Sequence, residues 1–298
     1  MFLLGTTLTS FGVAVAIYDY NQVRSVGIAS SIRDLWQRRI AQTQNRKLEL
    51  VRSIADWPAW VPIDVRKAAT MVVNRWYNLH EGQRTAVALM ALNGLVFAAW
   101  QLRTARVQNF MYRWFTHHPL SGRSVTLLTS MFSHQTALHF GLNMFGLWAF
   151  GTLLHHGLGS REEFLAFYLS AGVASGWASH MLTLRTIAHA AILPSLGASG
   201  ALFACLGAVA IQRPDLHVGL VFVPGVDLPL KHAFPMMVGL DLLGVIRGWQ
   251  MFDHLSHLGG SLYGLLYVAG AREVLWYGMM ENYIRIKHGL AVKTGNKD

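Results

Sequence analysis

The sequence predicts an all-α polytopic membrane protein, and three observations carry that expectation. Hydrophobic residues make up 53% of the 298-residue chain and only 13% are charged, about half the charged fraction of an ordinary soluble domain. Mean hydropathy is positive, at +0.33. Several apolar runs reach the roughly 17–25 residues that a helix needs to cross a hydrocarbon layer about 30 Å thick. A water-soluble core is therefore set aside.

The elements follow in chain order. Phe2–Tyr18 is an apolar run with no basic segment before it, a poor secretory signal and just long enough to span, so residues 1–20 are read as an appended first helix. Residues 21–84 form a basic, partly amphipathic juxtamembrane segment. Here Arg24, Arg33, Arg38, Arg39, Arg46, Lys47, Arg52, Arg66, Lys67, Arg75 and Arg84 are opposed by five acids. Trp36, Trp57, Trp60, Trp76 and Tyr77 are interleaved with them, a composition suited to anionic headgroups with indole rings at the interface. A nucleic-acid partner is not expected, because no compact basic fold accompanies the charge.

Six further hydrophobic segments lie within residues 85–280, at Ala86–Leu102, Ser124–Leu153, Glu163–Leu184, Ser199–Gln212, Leu230–Ile246 and Leu255–Tyr277. Several are short or glycine-rich, as expected of helices packed inside a bundle. Arg103–Arg123 is read as a long loop, and Arg185–Pro194 and Arg213–Asp227 as shorter ones. Residues 281–298 are a polar, basic tail, expected to fray at Thr294–Asp298. An even number of core helices puts the basic segment and the tail on one side, with Met1 across the membrane. The single Cys205 excludes an intramolecular disulfide and a cysteine-based metal site.

Polar groups inside spanning helices are expensive and are functional candidates by default. Three clusters qualify: His134, His139 and Asn143 in the second core helix; Gly197-Ala198-Ser199-Gly200 opening the fourth; and Asp253, His254 and His257 opening the sixth. A serine at a helix N-terminus meets unsatisfied N–H donors that stabilise a developing oxyanion. By itself Ser199 reads better as a helix cap, with glycines that merely permit packing. His257, Gly260 and Gly264 share one helix face, and Gly200, Ala204, Gly207 and Ala208 form a matching small-residue face. Two such faces let backbones approach closely and would bring His257 beside Ser199 as its general base. No carboxylate sits at an evident triad spacing, so the expectation is a dyad, with Phe203 one turn after Ser199 stacking on the imidazole. His139 and Asn143 at i and i+4 converge to donate to an oxyanion, while His134 lies off that face.

This ordered set resembles the rhomboid intramembrane serine proteases: His134, His139-x-x-x-Asn143, Gly197-Ala198-Ser199-Gly200 and His257-x-x-Gly260-x-x-x-Gly264, each in the helix where rhomboids place it. It is most similar to the mitochondrial, presenilin-associated branch, through Pro194-Ser195-Leu196-Gly197-Ala198-Ser199-Gly200 and Phe252-Asp253-His254 followed by His257-Leu258-Gly259-Gly260. The resemblance implies a six-helix core with one added N-terminal helix, a multi-pass protein of the mitochondrial inner membrane. It implies Ser199 as nucleophile, His257 as base and acid, and His139, Asn143 and the Ser199 N–H as oxyanion hole. Gly197, Gly200, Gly260 and Gly264 would serve packing, and the substrates would be transmembrane-helix proteins within the lipid bilayer. No cofactor or metal is expected. Phe203 departs from the tyrosine of bacterial rhomboids, and Arg113-Trp114 does not match the family's first-loop Trp-Arg pair. No mitochondrial presequence is evident before Phe2, which implies a matured or truncated chain or an unusual signal. The rival readings are a catalytically inactive rhomboid-like binder or chaperone of transmembrane helices, and a haem or metal protein built on His134, His139, His254 and His257.

Overall fold

The computed structural model describes residues 1–26, 32–186, 192–220 and 223–287. Helix α1 (Phe2–Val26) is followed by α2 (Ile32–Ala55), α3 (Ile63–Asn78), α4 (Glu81–Gln101) and α5 (Ala105–Trp114). Then come α6 (Ala137–Leu158, with a π turn at Leu147–Gly151), α7 (Arg161–Thr186), α8 (Ser199–Gln212) and α9 (Leu230–Arg247). Helix α10 (His254–Leu266) leads through two π segments, with a kink at Gly270, into α11 (Met279–Lys287). Among the described residues, two helical stretches, Phe2–Gln22 and Ala137–Leu158, are long and apolar enough to cross a membrane.

Local chemistry accounts for the boundaries. The His80 N–H donates to Gln83 Oε1 (2.9 Å) where α4 begins. Thr136 Oγ1 accepts from the His139 N–H (3.3 Å) at the start of α6, and Asp253 Oδ1 from the Ser256 N–H (3.0 Å) at the start of α10. Each satisfies an N–H that the first helical turn leaves open.

The architecture differs from the sequence expectation in three places. The segment Ser124–Leu153 is not one helix: a turn at Thr126–Thr129 and a 3₁₀ turn at Ser130–Phe132 end at Ser133, and α6 starts only after the Thr136 cap. His134 therefore sits in the break, not on the helix. The loop 103–123 contains α5, capped by Thr104. The connection after α8 is a small antiparallel hairpin, β1 (His217–Leu220) with β2 (Val223–Pro229), so the chain is not purely helical. Apart from His217 and Asp227, which pair at 3.0 Å, its strands consist of valine, leucine, glycine and proline, of which valine favours extended backbone and glycine and proline favour turns. The polar, basic tail begins within α11, and the Lys287 ammonium meets Asp19 of α1. The expected fraying at Thr294–Asp298 lies outside the described residues, as does part of the 185–194 loop.

The core forms where α7, α8 and α10 meet, with α1 docked on the outside. Phe11 of α1 is fully buried, its ring 5.8 Å from Tyr267. A buried ionic knot ties the ends of α7 and α10. Arg272 Nε donates to Glu163 Oε1 (2.7 Å), as does the Tyr267 hydroxyl (2.8 Å). A second guanidinium nitrogen of Arg272 donates to Glu163 Oε2 (2.9 Å) and to the Leu158 carbonyl (2.9 Å). A carboxylate this deep is tolerable because every oxygen has a donor.

Candidate active site

Helices α8 and α10 meet backbone to backbone. A Cβ placed on Gly260 would fall 2.0 Å from the Gly200 carbonyl oxygen, and one on Gly264 the same distance from that of Ala204. Gly207 faces the Ser261 carbonyl at 3.0 Å by the same measure. The two small-residue faces therefore interlock in the register that puts the first turns of both helices side by side.

That register brings Ser199 and His257 together. His257 Nε2 lies 3.0 Å from Ser199 Oγ. Ser199 is the first residue of α8, with Ala198 as its cap, and so stands among N–H groups without helical partners. Phe203 lies flat on His257, centroids 4.1 Å apart and planes 8° from parallel. This stacking packs one face of the imidazole and so limits its tilting out of the plane that contains the serine contact.

Gly197 has φ +122°, a left-handed conformation that residues with a Cβ rarely adopt. A side chain there would also strike His139, whose Cε1 and Nε2 lie 2.7 and 2.8 Å from the position of a Cβ. His139 is thus laid over the loop two residues before Ser199. Asn143, one turn on, gives one amide N–H to the His139 carbonyl (2.9 Å) and is 5% exposed, with its Oδ1 unpartnered. Its second N–H is uncommitted by that bond. His134 takes a different part: its Nε2 accepts from the Ala198 N–H at 3.4 Å and so holds the turn before the serine. His117 and Ser195 form a two-way backbone bridge that anchors the same turn from the other side.

Beside Ser199 is a cavity of about 20 Å³, lined by Ser130, Ser175, Ser195, Asp253 and Ser256 among others. That is room for one water among several polar partners. Ser179 Oγ donates to Asp253 Oδ1 at 2.7 Å, so Asp253 is committed to capping and to α7, away from His257 Nδ1.

The sequence reading found no carboxylate for His257, and the structure supplies one from α9. Asp241 Oδ1 is 3.0 Å from His257 Nδ1 and 2.6 Å from His254 Nδ1. All three side chains are buried. One signal did point to Asp241: it is an acid inside an otherwise apolar segment, which makes it a candidate wherever it falls. Its spacing from His257 gave nothing away, since the two meet across different helices. Asp241, His254 and His257 are also the one group among the described residues whose donor atoms lie close enough, within 4.8 Å, to share a metal ion. The same contacts are of ordinary hydrogen-bond length.

Comparisons with known proteins show the family. Residues 121–273 match the model of the rhomboid domain, and the chain belongs to the rhomboid family. Within it, the chain is similar to the presenilin-associated rhomboid-like proteins. It is 34% identical over 286 residues to presenilin-associated rhomboid-like protein A, mitochondrial, of Danio rerio, covering 93% of this chain and 70% of that one. It is 38% identical over 227 residues to presenilin-associated rhomboid-like protein, mitochondrial, of Mus musculus, covering 76% and 58%. Rhomboid protein 1, mitochondrial, of Saccharomyces cerevisiae is 36% identical over 182 residues, or 60% of this chain and 51% of that one. The chain thus spans little more than half the length of the mouse relative.

Proposed function

We propose that this chain is a multi-pass serine endopeptidase of the mitochondrial inner membrane that cleaves transmembrane helices of other proteins. The observation that carries the reading is the 3.0 Å contact between Ser199 Oγ and His257 Nε2 at the N-terminal ends of two interlocked helices. Family membership and the mitochondrial names of the relatives support the class of reaction and the compartment. The proposed organisation is an added span at residues 1–20, a surface segment at 21–84, a six-helix core at 85–280 and a tail at 281–298.

In this reading Ser199 Oγ attacks the scissile carbonyl carbon while its proton passes to His257 Nε2. The resulting oxyanion meets the N–H groups of the first turn of α8, with His139 and the free Asn143 N–H as further donors. Collapse of the intermediate breaks the C–N bond, and the proton on His257 goes to the leaving amine. A water from the adjacent polar cavity then hydrolyses the acyl-serine, with His257 again taking and returning the proton. The substrate helix must unwind first, because its carbonyls are otherwise held in backbone hydrogen bonds.

The test is cleavage of a fluorogenic transmembrane substrate, with fluorophosphonate labelling, by the purified chain in lipid nanodiscs. Ser199→Ala and His257→Ala should each lose cleavage, and Ser199→Ala all labelling, with unchanged thermal unfolding. Full activity in either variant, or no labelling of the unaltered chain, would overturn the assignment in favour of a helix-binding role.

A further inference from the structure

The proposed base does not stand alone, and the geometry behind it is asymmetric in an informative way. His257 uses both ring nitrogens: Nε2 meets Ser199 Oγ at 3.0 Å and Nδ1 meets Asp241 Oδ1 at 3.0 Å. A carboxylate only accepts, so His257 Nδ1 carries a proton, and in the neutral ring Nε2 is then bare. A bare Nε2 is the form that can take the proton of Ser199. The other tautomer would put an N–H against the hydroxyl and leave two lone pairs facing each other at Asp241.

His254 supplies the second half of the arrangement. Its Nδ1 donates to the same Oδ1 at 2.6 Å, so one oxygen of Asp241 receives two N–H groups from residues three apart on α10. That holds the carboxylate in one position and offsets the cost of burying its charge. The clamp is fitted to its site. A Cβ on Gly244, one turn after Asp241 on α9, would lie 2.5 Å from His254 Nε2, so the glycine makes the space that the imidazole fills. That nitrogen is buried and unpartnered, as an aprotic atom facing a glycine must be. Phe252 covers the pair, its ring 6.1 Å from that of His254 and 6.2 Å from that of His257.

We propose that Asp241 is a positioning residue for His257 and that His254 locks Asp241 in place, turning the Ser–His pair into a buried Ser199–His257–Asp241 chain with a second histidine as its brace. The proposal rests on the hydrolytic reading of Ser199. During acylation the proton from Ser199 resides on His257 Nε2, making an imidazolium whose Nδ1–H is already bonded to the carboxylate. Asp241 keeps its charge throughout, and no proton moves to it.

Two measurements test it, one of them independent of activity. In chain labelled with ¹⁵N-histidine, the His257 signals, assigned by difference from His257→Ala, should show a protonated Nδ1 and a bare Nε2. Asp241→Asn should shift that signature toward protonated Nε2. In the cleavage assay Asp241→Asn should lower kcat about 100-fold or more with KM changed less than about threefold, the pattern of a lost transition-state interaction. His254→Gln, which leaves Asp241 in place, should lose about 10-fold. The proposal is overturned by a parent His257 with Nε2 protonated, by an unchanged tautomer in Asp241→Asn, or by kcat within about threefold of the parent. It is equally overturned if purified chain carries one equivalent of a divalent metal that Asp241→Asn lacks, since the three donors are then ligands. A parent that shows the expected tautomer but no fluorophosphonate labelling would instead defeat the hydrolytic reading alone.

Discussion

The α8–α10 seam and the α2–α3 hairpin are both helix pairs, and they solve opposite problems. In the seam the backbones touch, polar groups face one another in pairs, and a single added methyl has nowhere to go. In the hairpin, α3 buries no residue and the two helices leave a groove of about 650 Å³ lined by Ile54, Ile63, Arg66, Met71 and Arg75 among others. Trp60 at its tip is 82% exposed. What matters in the seam is shape to a fraction of an ångström. What matters in the hairpin is a looser fit: Arg66 ties the connection between the helices by donating to the Ala55, Pro58 and Val61 carbonyls, while side chains such as that of Trp60 stand open. Precision is concentrated where two residues from distant helices must hold a 3.0 Å contact.

Four substitutions would break or sharpen that contrast. The largest effect is expected from Gly264→Val, whose Cβ collides with the Ala204 carbonyl and forces the helices apart. Unfolding in detergent should shift by at least about 3 kcal/mol, the upper range for overpacking, and activity should go with it. A variant as stable as the parent would show the seam to be more compliant than its geometry indicates. Glu163→Gln comes next. It removes the charge that Arg272 and Tyr267 share, and loss of charge-assisted bonds of this kind costs about 2 kcal/mol.

A third effect is conditional on pH. His117 lies in the 115–118 connection after α5, its Nδ1 2.8 Å from Thr126 Oγ1 and its Nε2 2.9 Å from His180 Nδ1. Burial, then the neighbouring His180 and His118, push its pKa down from 6.5 to about 4. The unfolded chain therefore takes up this proton first. The stability that His117 contributes is intact above pH 6.5 and is lost progressively as pH falls toward 4. His117→Gln should flatten the acid side of a plot of melting temperature against pH, and an unchanged slope would locate the titration elsewhere. The smallest effect is expected in the hairpin. Trp60→Ser should leave stability within about 0.5 kcal/mol, as for most exposed positions. A shift as large as that of Glu163→Gln would mean that the hairpin is packed against something the contrast ignores.

The site was legible to very different depths. Ser199, His139, Asn143 and His257 stood out because polar residues in apolar helices are costly and few. The glycine faces stood out because helical periodicity is visible in the chain itself. Helix breaks were harder: the interruption at Ser133–Thr136 depends on a threonine cap and a 3₁₀ turn inside an apolar run that reads as continuous. The β1–β2 hairpin was hidden for a related reason, since a short connection rich in valine and glycine has no period long enough to register.

By itself the sequence determined the helical, apolar character of the chain, the identity of its few polar residues and the small faces that permit two helices to touch. These are local properties, written in composition and in a 3.6-residue period. Only the tertiary structure decided that Asp241, sixteen residues and a turn away from His257, meets its Nδ1 and shares that bond with His254. A contact between helices depends on their crossing and rotation, which the whole packed bundle sets and which no spacing along the chain encodes.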